Sequence, residues 1–382
     1  STLSTRVTNG QFSNIAGRLN SLRLGGAGVA GGGAVAYSDP EEADREVGAS
    51  LEHLYMSGGA VRGGGAASEV EGSRLGWFLD GSFNTGDRDQ SANEDGFDFD
   101  ATSFTVGLDY MFDSGVIGVS AGLDNYDADF DDALLVSGGN VEVEGTTGSL
   151  FGAWYSGNFY LDGIVSFGDL DSDISRRAVY QSNNDDPNCE CPDQSRTLSG
   201  ETGGDFVAAG LTVGYDANRG NWDFATTLSL AYRDIDIDGY DEVDSLPNGG
   251  LALRYASHKI ESLRSILGFA VTRNISREFG VLTPLFRVEW HHEFEDDPLT
   301  IAAKYIEEDE LALGSAPGDF TPACISCFRF STDEIDTDYA LVGLGASMVF
   351  AGRLQLYGEY DALLGLENLS SNSISLGIRG QF

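Results

Sequence analysis

The chain has 382 residues, with 22 basic against 61 acidic side chains and a formal net charge of −39, which excludes nucleic acid as a partner. At 41% hydrophobic and 11% aromatic it is too apolar to be disordered. It has no run of roughly 18 apolar residues that could cross a bilayer as a helix, so any membrane span must be made of strands.

No basic and apolar leader precedes Ser1, and the chain reads as a mature or trimmed product. Residues 10–24, GQFSNIAGRLNSLRL, place Phe12, Ile15, Leu19 and Leu22 at helical spacing, with Asn9 and Ser13 available as caps. Arg18 and Arg23 on this predicted helix are the candidates to hold it by ion pairs. Residues 25–73 are Gly/Ala-rich, broken by the acidic stretch DPEEADREV, and read as a connector.

Alternation begins after that. Phe104, Val106, Leu108, Tyr110 and Phe112 share one face, with Thr105, Gly107 and Asp109 on the other, which is strand periodicity. Ile117 to Leu123, Val207 to Tyr215, Trp222 to Tyr232 and Ala340 to Phe350 repeat it. About twelve such segments of some ten residues start near 74, 101, 115, 142, 158, 203, 221, 260, 280, 338, 353 and 372, an even number as bacterial barrels require. Short connections at 113–115, 156–158, 217–221 and 351–353 alternate with long ones at 85–99, 127–140, 172–201, 236–252 and 296–337. Strict alternation of this kind fits brief turns on one side of a membrane and long, acidic loops on the other.

In lipid every backbone group must pair within the protein, so the sheet closes and alternate side chains face lipid and lumen. Arg287, Glu289, His291 and Glu293 then share an inward face, as do Glu359 and Asp361. On the last strand Ile374, Leu376, Ile378 and Phe382 alternate with Ser373, Ser375, Arg379 and Gln381. A closing Phe382 on such a strand, with Ile378 before it, resembles the signal read by the outer-membrane barrel assembly machinery.

Sites of chemistry are sparse. Asp234, Asp236, Asp238 and Gly239 imitate the opening of a calcium loop, but Ser245 stands where a bidentate Glu is needed, and carboxylates at strand period are the better reading. Cys189, Cys191, Cys324 and Cys327 lack zinc-ribbon spacing and are expected to form disulfides, with the pairing open. His291 and His292 are strand neighbours and project to opposite faces. There is no G-x-S-x-G elbow and no phosphate-binding loop. The expectation is no enzyme and no cofactor, apart from Ca2+ held loosely by acidic loops.

From the helix to the last residue the chain resembles the autotransporter β-domain family, the translocators of type V secretion. QFSNIAGRLNSLR is similar to the family's lumen helix, and RLGWFLDGSFNTGDRD, FDFDATSFTVGLDYMF, LFGAWYSGNFYLDG, FRVEWHHEFEDD and the segment from YALVGLGASMVF to the C-terminus look like its successive barrel segments. The resemblance implies an all-β, about twelve-stranded antiparallel transmembrane barrel with an N-terminal helix in the lumen. The implied units are a helix at 1–24, a connector at 25–73 and a barrel at 74–382. It implies a bacterial outer-membrane protein, long loops extracellular, that passes or tethers a passenger domain. Some members cut themselves at an Asn-Asn pair in the helix; Ser13 and Asn14 hold the corresponding place here, without the first Asn. Residues 1–9 are too few to be a passenger. Expected partners are outer-membrane lipid and lipopolysaccharide, the barrel assembly machinery, and a passenger or surface partner, around a monomeric barrel. Two alternatives remain open: a stand-alone porin-like channel, and a structural or adhesive barrel that binds through its acidic loops.

Overall fold

The computed structural model describes Gln11, Asn14, Ile15 and Leu19, and residues 74–381 except 133–135, 181–193, 248–249, 278–279, 308–318, 322–323, 325–326, 335 and 351–353. In chain order the strands are β1 (Leu75–Arg88), β2 (Phe97–Phe112), β3 (Gly115–Asp132), β4 (Val136–Ser156), β5 (Phe159–Tyr180), β6 (Gln194–Arg219) and β7 (Trp222–Ile237). Then come β8 (Tyr240–Asp241), β9 (Val243–Asp244), β10 (Leu253–Tyr255), β11 (His258–Arg273), β12 (Ile275–Arg277), β13 (Gly280–Glu293) and β14 (Thr300–Tyr305). The last four are β15 (Phe328–Ser331), β16 (Asp338–Phe350), β17 (Leu354–Leu364) and β18 (Leu369–Gln381).

Strands β1 to β7, β11, β13, β16, β17 and β18 pair antiparallel in that order, and β1 pairs with β18, from Gly76 opposite Gln381 to Arg88 opposite Leu369. This closes a barrel of twelve strands, ten of which start within about four residues of their expected positions, while β4 and β6 start earlier, at Val136 and Gln194 instead of near 142 and 203. Closure leaves no edge exposed to lipid. β8, β10, β14 and β15 form a separate four-stranded sheet in the fourth and fifth outer connections.

One expectation needs correcting. The strands are longer than ten residues, up to the 26 of β6, and take up much of what reads as long loops; the last outer connection, between β17 and β18, spans only residues 365–368. Length therefore does not alternate strictly between the two ends. The cause is an inversion of polarity along β2 to β7. On β5 the outward face is apolar from Phe159 through Leu161 and Val165 to Phe167, a membrane-strand length of nine residues, and then becomes Asp169, Asp171 and Asp173. Inward, Asp162 and Ser166 give way to the buried Leu170.

The same change occurs at the matching level on neighbouring strands. Outward Phe104 is followed upward by Asp100 and Asp98, and outward Tyr232 by Asp234 and Asp236. Inward-facing Phe99, Tyr126, Val143, Leu170, Phe206 and Ile235 join in one buried cluster. Below the change the wall is a membrane barrel, and above it β2 to β7 stand as a collar built like a soluble protein. Acidic residues face each other across the outer surface of this collar: Asp100 opposite Asp127, Asp127 opposite Glu142, and Glu142 opposite Asp173. Burial, then the charges of Glu142, Asp129 and Asp100, push the Asp127 carboxyl above its ordinary range.

Several inward glycines make room for rings. A side chain at Gly107 would overlap Phe78, and one at Gly214 would overlap Tyr160. At Gly377 it would overlap Tyr357, whose ring lies under Arg379 at 3.8 Å and whose hydroxyl donates to Asp80. This knot ties β1, β17 and β18 at the seam where the barrel closes.

Candidate functional site: the lumen and its helix

The four described N-terminal residues, Gln11, Asn14, Ile15 and Leu19, are all helical and all buried, at 1%, 3%, 0% and 4% exposure. They lie against the inner wall of β1 to β5. Ile15 and Leu19 join an apolar cluster with inward-facing Phe78, Val116, Phe151, Ala153, Tyr155 and Tyr160. These wall residues are the exceptions to the polar lumen, placed beside the short turns at 113–114 and 157–158. Phe78 and Phe151 meet edge to face at 5.9 Å.

Higher up, the contact turns polar. Gln11 Nε2 donates to Asp124 Oδ1 at 3.2 Å and to the Phe104 carbonyl at 3.3 Å, and Thr105 Oγ1 donates to Gln11 Oε1 at 2.7 Å. Asn14 Nδ2 donates to Thr105 Oγ1 at 2.8 Å, and Ser103 donates to Asp124. Gly122 is what lets Gln11 approach, since any side chain there would overlap its carboxamide. From Leu19, near the short turns, to Gln11, level with Asp124, the helical direction runs towards the long-loop end. At about 1.5 Å per residue these eight steps cover about 12 Å.

Across the lumen stands the charged ladder. Arg287 Nη1 donates to Glu289 at 2.7 Å, Nε to Glu359 at 2.9 Å and Nη2 to Asp361 at 2.9 Å, so one guanidinium serves three carboxylates. Glu289 also meets His291 Nε2 at 3.0 Å. The arrangement depends on β16, which lies between β13 and β17: Gly343 has no side chain, and one there would overlap Asp361. His292 points outward, to Asp338 at 3.0 Å. A cavity of about 910 Å³ follows this side of the lumen, from Tyr160 and Leu19 up to Arg88, Asp333 and Glu367.

At the long-loop end the four-stranded sheet leans on the collar. Arg176 of β5 makes a two-pronged pair with Glu242, 2.7 Å on each arm, and Tyr240 stacks on Tyr255 at 4.7 Å. Burial lowers the Arg176 pKa, but the pair with Glu242 outweighs it and leaves the guanidinium above its ordinary value. Cys324 and Cys327 form a disulfide in the same region. Asp234 and Asp236 lie on the strand β7, with Asp234 paired to Lys259 at 2.7 Å. Among the described residues no cluster of His, Cys, Asp or Glu is arranged to hold a metal ion.

Of the residues singled out in the sequence, Ile15 and Leu19 pack in the apolar cluster on the inner wall, and Ile378 faces outward on β18, opposite Leu79. Phe12, Ser13, Arg18, Leu22, Arg23, Cys189, Cys191 and Phe382 fall outside the described residues. Gln11, Gly122 and the trio Ser103, Thr105 and Asp124 do not stand out in the sequence. The usable signal was that Gln11 and Asn14 lie one turn apart on the helix face that carries Ile15.

A family profile described as the autotransporter β-domain matches residues 77–361. Among solved structures, the translocator domain of the autotransporter NalP from Neisseria meningitidis is 15% identical, with a TM-score of 0.57, covering 92% of this chain and 100% of that one. The β domain of the Bordetella autotransporter BrkA is 16% identical, with a TM-score of 0.50, covering 81% of this chain and 100% of that one. At such identities the likeness speaks for the fold. No curated protein matches the sequence.

Proposed function

The chain belongs to the autotransporter β-domain family, an outer-membrane translocator and not an enzyme, and we propose that its helix is the tether on which a passenger is carried to the cell surface. The observation that carries this reading is the docking of Gln11, Asn14, Ile15 and Leu19 on the inner wall, with the helical direction leading from the turn side to the loop side. A polypeptide continuing upstream of Gln11 along that direction heads for the outer mouth. The proposed units are a lumen helix at 1–24, a connector at 25–73 and a barrel at 74–382. In this proposal the helical spacing assigns Phe12 and Leu22 to the apolar stripe of Ile15 and Leu19, and Arg18 and Arg23 are the proposed ion-pair partners of lumenal carboxylates.

In planar bilayers the full chain is expected to be nearly silent, and a chain lacking residues 1–24 to conduct about tenfold more, favouring cations because the lumen is rich in carboxylates. Equal conductance in both would sink the tether and favour the porin-like channel.

Further partners follow from the surface. The apolar outer belt from Phe104 to Phe112 and its counterparts suit lipid, and the acidic collar above suits lipopolysaccharide bridged by divalent cations, with a monomeric barrel and no nucleic acid. Ile378 on the last strand, with Phe382 following that strand in sequence, suits recognition by the barrel assembly machinery. Deleting Phe382 should cut the amount of folded barrel in the outer membrane several-fold, and unchanged insertion would remove that role. Cys189 and Cys191 are proposed as a second disulfide.

A further inference from the structure

The cavity beside the helix is lined on one side by β11, β13, β16, β17 and β18 and on the other by residues of β1, β2 and β5 to β7, and it reaches the outer mouth at Glu367 and Asn368, where the wall is lowest. There, the connection between β17 and β18 is only residues 365–368, with none of the collar carried by β2 to β7. Between β15 and β16 the described residues 332–334, 336 and 337 lie on this low side. Four neighbours hold this stretch.

At its start, Leu299 N donates to Thr332 Oγ1 at 3.0 Å and Thr332 N donates to the Leu299 carbonyl at 2.9 Å. At its middle, Asp333 takes Arg88 Nη2 at 2.9 Å on one oxygen and Asn93 Nδ2 at 2.9 Å on the other, while its own N–H donates to Glu94 Oε2 at 3.3 Å. Further on, Asp336 accepts the N–H of Glu367 at 2.9 Å, and the Thr337 carbonyl accepts the N–H of Glu293 at 2.8 Å. The stretch is thereby stitched to the β13–β14 connection, the end of β1 with the β1–β2 connection, the β17–β18 connection and the end of β13. Asp333, Glu334 and Asp336 line the top of the cavity.

The electrostatics of this closure rest on one cation. Arg88, with only 11% of its side chain exposed, also pairs with Glu94, so it lies between two carboxylates that would otherwise repel each other. Glu334, Asp336 and Glu367 add negative charge around it, and among the described residues Arg88 is the cation that faces Asp333 at the rim. The held position of the strap is therefore conditional on Arg88: with it the strap is drawn onto the mouth, and without it like charges push the strap away.

We propose that residues 332–334 together with Asp336 and Thr337 form a latched strap, pinned by Arg88, that closes the outer end of the lumenal passage beside the helix. The strap is a second barrier, independent of the helix, and seals the lumen from the outside where the collar is missing.

The test is made on the full chain in the outer membrane of whole cells. Ser375→Cys places a thiol inside the lumen, on the cavity wall below the strap, and its labelling by a membrane-impermeant maleimide is timed. Arg88→Ala and, separately, Asp333→Asn are introduced alongside, and each is checked for the heat-sensitive mobility of a folded barrel. Labelling is expected to be slow in the parent and about tenfold faster in either variant, the change that loss of one charge-assisted hydrogen bond makes to an open–closed equilibrium. Asp333→Asn lies in a connection outside the barrel wall, so it keeps the test decisive should Arg88→Ala fail to fold. Equal labelling in the parent and in a folded variant overturns the strap. That outcome leaves the tether untouched, because the tether is read from the conductance change on removing residues 1–24.

Discussion

Gly122→Leu is expected to expel the helix from its seat and open the full-length chain to ions. Any side chain at 122 takes the space held by the Gln11 carboxamide. Gln11 then loses its contacts with Asp124, Thr105 and the Phe104 carbonyl together. A hydrogen bond to a charged group contributes about 1.5–3 kcal/mol, and forcing extra carbons into a packed site costs about 1–3 kcal/mol more. Since 1.4 kcal/mol is tenfold in an equilibrium, the ratio of seated to unseated helix should fall by a factor of about a hundred or more. Gly122→Ala should be milder, because the Gln11 side chain can swing aside while Ile15 and Leu19 keep their apolar contacts. The measurement is single-channel conductance of the full-length Gly122→Leu protein beside that of the chain lacking residues 1–24. If the variant stays as silent as the parent while the deletion conducts, the seat at Gly122 does not hold the helix.

The wall of the barrel was legible because its signal is local. Alternation from Phe104 to Phe112 or from Ala340 to Phe350 needs only neighbouring residues, and it found all twelve barrel strands, though it placed the starts of β4 and β6 too late. The same rule fell short where polarity inverts. On β5, Asp169, Asp171 and Asp173 still alternate, with Leu170 and Ile174 inward, but a reading that expects apolar residues outside takes them for the edge of a loop. The inward ladder of Arg287, Glu289 and His291 was visible on β13, and so was that of Glu359 and Asp361 on β17. That one arginine joins both was not, because the contact passes over Gly343 on the strand between them. Seat and strap lie further out of reach: Gln11 meets Asp124 across 113 positions and Arg88 meets Asp333 across 245. No local period encodes such pairs. Gly122 marks its site by lacking a side chain, which in a chain with 51 glycines is no signal by itself.

Arg287→Met should be the most destabilising single change in the barrel wall. The guanidinium reaches Glu289, Glu359 and Asp361 at 2.7 to 2.9 Å and ties β13 to β17 across β16. Methionine replaces the apolar stem but not the guanidinium, so it leaves three carboxylates facing one another, with His291 beside Glu289. Removing one partner of a buried ion pair costs about 3–5 kcal/mol, because the charge left behind has lost both water and counter-charge. The open cavity beside the ladder admits water, which argues for the lower end of that range. Arg287→Lys should recover only part of the loss, since an ammonium cannot offer three donors in the fixed plane that this arrangement uses. Adding Glu359→Gln and Asp361→Asn to Arg287→Met should recover more, because repulsion is then removed at its source. Urea unfolding of the refolded barrel, followed by its heat-sensitive mobility, gives the comparison. A loss below about 1 kcal/mol for Arg287→Met would mean that lumenal water screens the ladder as it screens a surface pair, and that closure of the barrel depends instead on the seam where Tyr357, Arg379 and Asp80 meet.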